Sequence, residues 1–83
     1  MAVTVRVHFF AVAREWMGVS ALELAIPEGA TTAVIWEELV RREPKLRPWS
    51  ERFRLAVNDE YIDGPVVLRQ GDTVAVIPPV SGG

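Results

Sequence analysis

The feature that most constrains this chain is a period of two. Val3, Val5, Val7 and Phe9 alternate with Thr4, Arg6, His8 and Phe10, the pattern of a strand with one face in a core and the other in solvent. The alternation returns at Leu22, Leu24 and Ile26, and again at Phe53, Leu55 and Val57. A last strand is expected from Thr73 to Ile77, with Val74 and Val76 inward. Between the second and third strands the period becomes helical. A body from about Ala33 to Glu43 puts Ile35 and Leu39 on one face, with Trp36 and Val40 beside them.

Turn chemistry separates these elements. Ala11 to Met17 reads as a short helical turn that Gly18 can end. Pro27-Glu28-Gly29 is a turn, and Thr31 or Thr32 can cap the main helix. Glu37 and Glu38 stand four residues before Arg41 and Arg42, a favourable order for exposed helical ion pairs, and Pro44 ends the run. Lys45 to Arg52 reads as a polar connection containing Trp49, with one helical turn as an alternative. Asn58-Asp59 and Gln70-Gly71-Asp72 are tight turns. Tyr61-Ile62 and Val66-Val67-Leu68 are short extended pieces around Gly64-Pro65. Pro78-Pro79 stops the last strand, because proline donates nothing to a ladder.

The order strand, strand, helix, strand, short strand, strand predicts an α+β fold, a mixed sheet with one main helix packed on one face. The β-grasp arrangement of ubiquitin fits this order and spacing. It places the first and last strands side by side at the sheet centre. Residues 1–77 then form the β-grasp domain and 78–83 a flexible C-terminal tail.

Size and charge exclude several functions. Eighty-three residues make one domain, which buries roughly 60% of its unfolded surface. A net charge of −2 with mixed signs lacks the basic stripe of a nucleic-acid binder. Without cysteine the chain has no disulfide, thiolate metal site or thiol nucleophile. The alternating N-terminus is unlike a secretory signal, and no stretch approaches the ~20 apolar residues that span a bilayer. A soluble, cytoplasmic protein without membrane contact is expected.

The body offers little chemistry. His8 is the single histidine and lies on the polar side of its strand, where a solvated surface residue explains it better than a catalytic triad. Asp59, Asp63 and Asp72 are scattered in turns, so turn formation accounts for them and no metal site is expected. Gly64 and Gly71 stand alone and make no phosphate loop.

The end of the chain differs. Pro78-Pro79-Val80-Ser81-Gly82-Gly83 follows the last strand with no further apolar anchor. Two prolines favour an extended, stiff segment, and two glycines give a tip free of side chains that can enter a narrow channel. A carboxylate carried on glycine is the least hindered acyl group a protein can offer. Frayed small residues also end many proteins; the Pro-Pro lead-in on a ubiquitin-like layout is what sets this tail apart.

Segments spanning nearly the whole chain carry a resemblance. They are Val7-His8-Phe9-Phe10-Ala11 with Arg14-Glu15 and Gly18, Pro27-Glu28-Gly29-Ala30-Thr31, Val57-Asn58-Asp59-Glu60-Tyr61, and Gly71-Asp72-Thr73 through Ile77-Pro78-Pro79-Val80-Ser81-Gly82-Gly83. With them the chain resembles the MoaD family of ubiquitin-like sulfur carriers, the small subunits of molybdopterin synthase. Val34-Ile35-Trp36 is bulkier than relatives tend to be, a departure that touches packing. The resemblance implies that Gly83 is adenylated by a ubiquitin-activating-like adenylyltransferase that uses ATP, and then becomes a thiocarboxylate through a sulfur donor protein. It further implies that Pro78, Pro79, Val80, Ser81 and Gly82 insert into the large subunit of molybdopterin synthase, a heterotetramer. There Gly83 passes sulfur to the cyclic pyranopterin monophosphate precursor in molybdenum cofactor biosynthesis. No bound cofactor is implied for the carrier itself.

Strand alternation adds one surface. If Val5, Val7, Leu55, Val57, Val74 and Val76 face the helix, then Phe10, Ala56, Ala75 and Ile77 face the other way, and Tyr61 can join them. Phe10, Tyr61, Ala75 and Ile77 near the tail's exit are expected to form the patch that meets the large subunit and, competitively, the activating enzyme. The segment near Ile62 and Val66 could instead cover part of it. A ubiquitin-like protein modifier, or a carrier for another sulfur pathway such as thiamine or a modified tRNA base, shares fold and tail and stays open at this point.

Overall fold

A computed structural model describes residues 1–79 of the chain. The first alternating run forms β1 (Ala2–Phe9), which pairs antiparallel with β2 (Ala21–Pro27) from Ala2↔Pro27 to His8↔Ala21. Between them lies α1 (Ala11–Met17). Gly18 ends α1 with φ 78° and donates its N–H to the Arg14 carbonyl, a left-handed position that suits glycine. Gly29, at φ 85°, and the bond from Ala30 N–H to the Pro27 carbonyl make the next turn.

The main helix, α2, spans Thr32–Arg42, one residue earlier at each end than the sequence reading. Of the two threonines, Thr31 is the cap, its side chain accepting from Ala33 N–H. Thr32 is buried, and its hydroxyl accepts from Val66 N–H at 3.2 Å. Glu38 pairs with both Arg41 and Arg42. The Arg41 side chain is the main cause holding the Glu38 carboxyl below its usual range, with Arg42 adding to it. After Glu43 the chain continues as a 3-10 helix, Pro44–Trp49. This segment corrects the expectation of a merely polar connection, because Leu46 within it is fully buried and belongs to the core.

The remaining strands are β3 (Arg54–Val57), β4 (Glu60–Tyr61) and β5 (Thr73–Ile77). They complete a five-stranded mixed sheet in the order β2-β1-β5-β3-β4. β1 and β5 run parallel at its centre, from Arg6↔Thr73 to Phe9↔Val76, and β3 pairs antiparallel with β5 from Arg54↔Ile77 to Val57↔Val74. Ubiquitin's β-grasp layout has the same central parallel pair.

The core lies between the sheet and α2. Val5, Val7, Leu24, Ile26, Leu55, Val74 and Val76 meet Ile35 and Leu39 there, all buried, while Val57 is half-buried at the margin. Each such aliphatic side chain contributes about 1.5–3 kcal/mol through removal from water. Aromatics close one end of this core. Phe53 lies 6.3 Å from Trp16 in a stacked pair and 5.9 Å from Trp36 edge-on, and Trp49 touches both Trp16 and Phe53. The bulky Trp36 is accommodated by that cluster. The 62–68 segment crosses the N-terminal end of α2. Thr32 N–H donates to the Val66 carbonyl, Leu68 N–H donates to the Ala30 carbonyl, and Thr31 bridges Val67.

Candidate functional site

β5 sets where the described chain leaves the sheet. Its Ala75 pairs with His8 on one side and Ala56 on the other, and Val76 likewise with Phe9 and Leu55. A strand bonded on both sides is among the least mobile parts of a domain. Side-chain bonds also fix where β5 begins. Asn58 Nδ2 donates to Asp72 Oδ1 at 3.0 Å, Asn58 Oδ1 accepts from Thr73 N–H at 3.0 Å, and Asp72 Oδ2 accepts from Arg69 N–H at 2.8 Å. The Asn58 amide, followed by the Arg69 backbone N–H, holds the Asp72 carboxyl below its usual range. Turn and β1 are stitched together by Gly71 N–H to the Thr4 carbonyl and Thr4 N–H to Gln70 Oε1. Pro78 and Pro79 follow Ile77 outside the sheet, Pro79 exposed. Val80, Ser81, Gly82 and Gly83, on which the acyl chemistry was expected, lie outside the described residues.

Beside this exit lies the sheet face opposite α2. One row across it runs His8, Ala75, Ala56, Tyr61, in register. The two central alanines are short, and Ala56 is buried. Tyr61 at the row's end is 61% exposed, and Phe10, just beyond β1, is 50% exposed. Phe10 has extended backbone at φ −123°, and Ala11 then takes φ 51°, a sparsely populated turn for alanine. Ala75 and Ile77 are half-buried. His8, Phe10, Ala56, Asp59, Thr73 and Ala75 outline a shallow concavity of about 240 Å³. The 62–68 segment leaves this face uncovered: Val66 and Leu68 bond to Thr32 and Ala30 at the start of α2, and Ile62 N–H donates to the Leu55 carbonyl of β3. Phe10, Tyr61, Ala75 and Ile77 are therefore brought to one face next to where β5 ends.

Sequence reasoning missed Arg54 on this same face. Its guanidinium carbon stands 5.2 Å from the Tyr61 ring centroid, and its backbone pairs with Ile77. The available signal was parity, since Arg54 lies two residues before Ala56, already assigned to that face. Among the described residues, no group of three or more His, Asp or Glu side chains is arranged to hold a metal. No helix there is long and apolar enough to cross a membrane.

Comparison with known proteins agrees with this geometry. Residues 7–83 match the ThiS family. The molybdopterin synthase sulfur carrier subunit of Arabidopsis thaliana is 40% identical over 82 residues, covering 99% of this chain and 85% of that protein. Its human counterpart is 37% identical, covering 95% and 93% respectively. A Pyrococcus furiosus structure described as molybdopterin converting factor, subunit 1, superposes with a TM-score of 0.84 at 35% identity, covering 94% of this chain and 99% of that one. A complex of subunits 1 and 2 of the molybdopterin-converting factor of Helicobacter pylori shares the fold, with a TM-score of 0.66 at 23% identity over 96% of this chain and 99% of that one. A β-grasp domain whose last strand is central, matched along nearly its whole length, places the chain in the ThiS family, among the molybdopterin synthase sulfur carrier subunits.

Proposed function

We propose that the chain carries sulfur on the carboxylate of Gly83 and is not catalytic alone. The observation that supports this most is the position of β5. The last strand is held on both sides at the sheet centre, so the segment after Ile77 starts from a fixed point beside an exposed aromatic face. Six residues from Pro78 to Gly83 reach at most about 20 Å when fully extended, enough to enter a partner's pocket while the domain stays outside.

A carboxylate is a poor acyl donor because its leaving group would be oxide. An adenylyltransferase partner overcomes this by letting the Gly83 carboxylate attack the α-phosphorus of ATP, with pyrophosphate leaving. A sulfur donor then supplies sulfide-level sulfur that attacks the Gly83 acyl carbon, AMP leaves, and Gly83 becomes a thiocarboxylate. That anion carries its charge on a soft sulfur, so it needs no general base within the carrier. This fits a body with no cysteine. The large subunit of molybdopterin synthase receives the tail, with Pro78, Pro79, Val80, Ser81 and Gly82 lining the way. Sulfur then passes to the cyclic pyranopterin monophosphate precursor in a heterotetramer. Phe10, Tyr61, Ala75 and Ile77 form the docking face, and the activating enzyme competes for it. ATP belongs to the activating partner, and the carrier keeps no cofactor.

Intact mass spectrometry of the protein from its native cells tests the reading. The expected species has one oxygen replaced by sulfur, localised to Gly83, and a variant lacking Gly83 fails to support pterin sulfuration. Absence of that species in cells actively making the cofactor, or full sulfuration without Gly83, overturns it.

A further inference from the structure

The sheet face that holds Phe10, Tyr61 and Ile77 also carries two guanidinium groups in unequal surroundings. Arg6 Nη2 lies 3.6 Å from Glu23 Oε1 on the neighbouring strand. Arg54 has no carboxylate within ion-pair distance among the described residues. It lies instead against the Tyr61 ring, with Cζ 5.2 Å from the centroid. Stacking on a ring restrains the guanidinium plane while leaving its N–H donors unspent. Through the Arg54↔Ile77 pair, that restrained cation sits level with the last residue of β5, at the point where the chain leaves the sheet.

We infer that Arg54 is the orienting contact of the docking face and takes a carboxylate side chain of the large subunit. This deepens the function proposed above and rests on it. The apolar contacts of Phe10, Tyr61 and Ile77 are non-directional and tolerate sliding. A tail of fixed length delivers its terminal group to one depth only if the domain stops in one place. A bidentate guanidinium–carboxylate pair supplies that direction. Arg54 suits the role because it is set beside the exit, restrained by a neighbour, and paired with no carboxylate among the described residues. Arg6, already facing Glu23 on the far side of β1, does not suit it. An acidic group on the partner is the complement, since a cation there would be repelled where the apolar face excludes water.

Binding of the full-length chain to its large subunit, measured by calorimetry across a salt series, tests this. Arg54→Gln is expected to weaken the complex at least about tenfold and to flatten its salt dependence. Arg54→Lys, which keeps the charge and loses the planar fork, recovers only part of the affinity. Tyr61→Leu, which keeps the charge and removes the ring beneath it, weakens binding less than Arg54→Gln. Thermal melts of the three variants confirm that each is folded. Parental affinity and salt slope in Arg54→Gln, with Ile77→Lys still impaired, overturn the assignment and leave the docking face intact. If Ile77→Lys also binds as the parent does, the docking face itself is wrong.

Discussion

Asn58 ties the end of β3 to the start of β5, and Asn58→Ala should loosen that corner measurably. The backbone there has φ 50°. The side chain donates to Asp72 Oδ1 and accepts from Thr73 N–H, both at 3.0 Å, while Asn58 N–H donates to the Thr73 carbonyl at 2.8 Å. Alanine keeps only the backbone bond. Two side-chain hydrogen bonds at about 0.5–1.5 kcal/mol each, taken at the low end because water can replace them at this exposed corner, give about 1–2 kcal/mol. Alanine in the left-handed region, which asparagine tolerates better, adds about 1 kcal/mol. The total of about 2–3 kcal/mol is a large part of what a domain of this size holds, and should lower Tm by roughly 10 °C or more.

The pH dependence makes the test specific. Asp72 has its folded-state carboxyl held down, first by Asn58 and then by the Arg69 N–H. A depressed folded value means that the stabilisation is fully present above the unfolded carboxyl's value and is lost as pH falls through the folded one. Asn58→Ala removes the first cause, so the parent should lose more stability than the variant between about pH 5 and pH 2. Urea unfolding followed by circular dichroism at several pH values reads both effects. A difference between the two proteins that is constant across that window, or smaller than about 0.5 kcal/mol at neutral pH, refutes the reasoning.

Three further outcomes are expected. Leu46→Ala, which empties a fully buried site in the 3-10 helix, should cost about 2–5 kcal/mol in urea unfolding, whereas a solvated connection would show almost nothing. Thr32→Val keeps volume but strips the partner from Val66 N–H; about 1–3 kcal/mol is lost, and the Val66 amide should exchange hydrogen much faster than in the parent. Ile77→Lys puts a charge on the half-buried docking face beside the exit and should weaken the complex with the large subunit by at least about tenfold, with the melting profile close to the parent's; undiminished binding contradicts the docking face.

Local chemistry made much of the architecture legible. The period of two in β1 matches its burial, with Val5, Val7 and Phe9 inside. Gly18 adopts the left-handed cap its position suggests. Thr73–Ile77 is a strand with the expected bounds. Each of these depends on residues near in sequence, so a linear reading suffices. Leu46 was missed for the opposite reason. Lys45-Leu46-Arg47-Pro48 has no period, and only the path after α2 turns its single leucine into the core. The aromatic cluster of Trp16, Trp36, Trp49 and Phe53 likewise joins four separate segments. The candidate surface divides in the same way. Parity put Phe10, Ala75 and Ile77 on one face, but did not single out Arg54 or show that Tyr61 would lie beside it.

By itself, then, the sequence determined which strand residues turn inward, roughly where the main strands and helix lie, and that Pro-Pro-Val-Ser-Gly-Gly follows the last strand, because periodicity, turn propensity and covalent order are properties of neighbouring residues. Tertiary structure alone decided that Leu46 is core, that the 62–68 segment crosses the end of α2 rather than the aromatic face, and that Arg54, Tyr61 and Ile77 meet beside the end of β5. Those facts depend on strand order and on contacts between residues far apart along the chain, and pairing across a sheet leaves no trace in the spacing of any one segment.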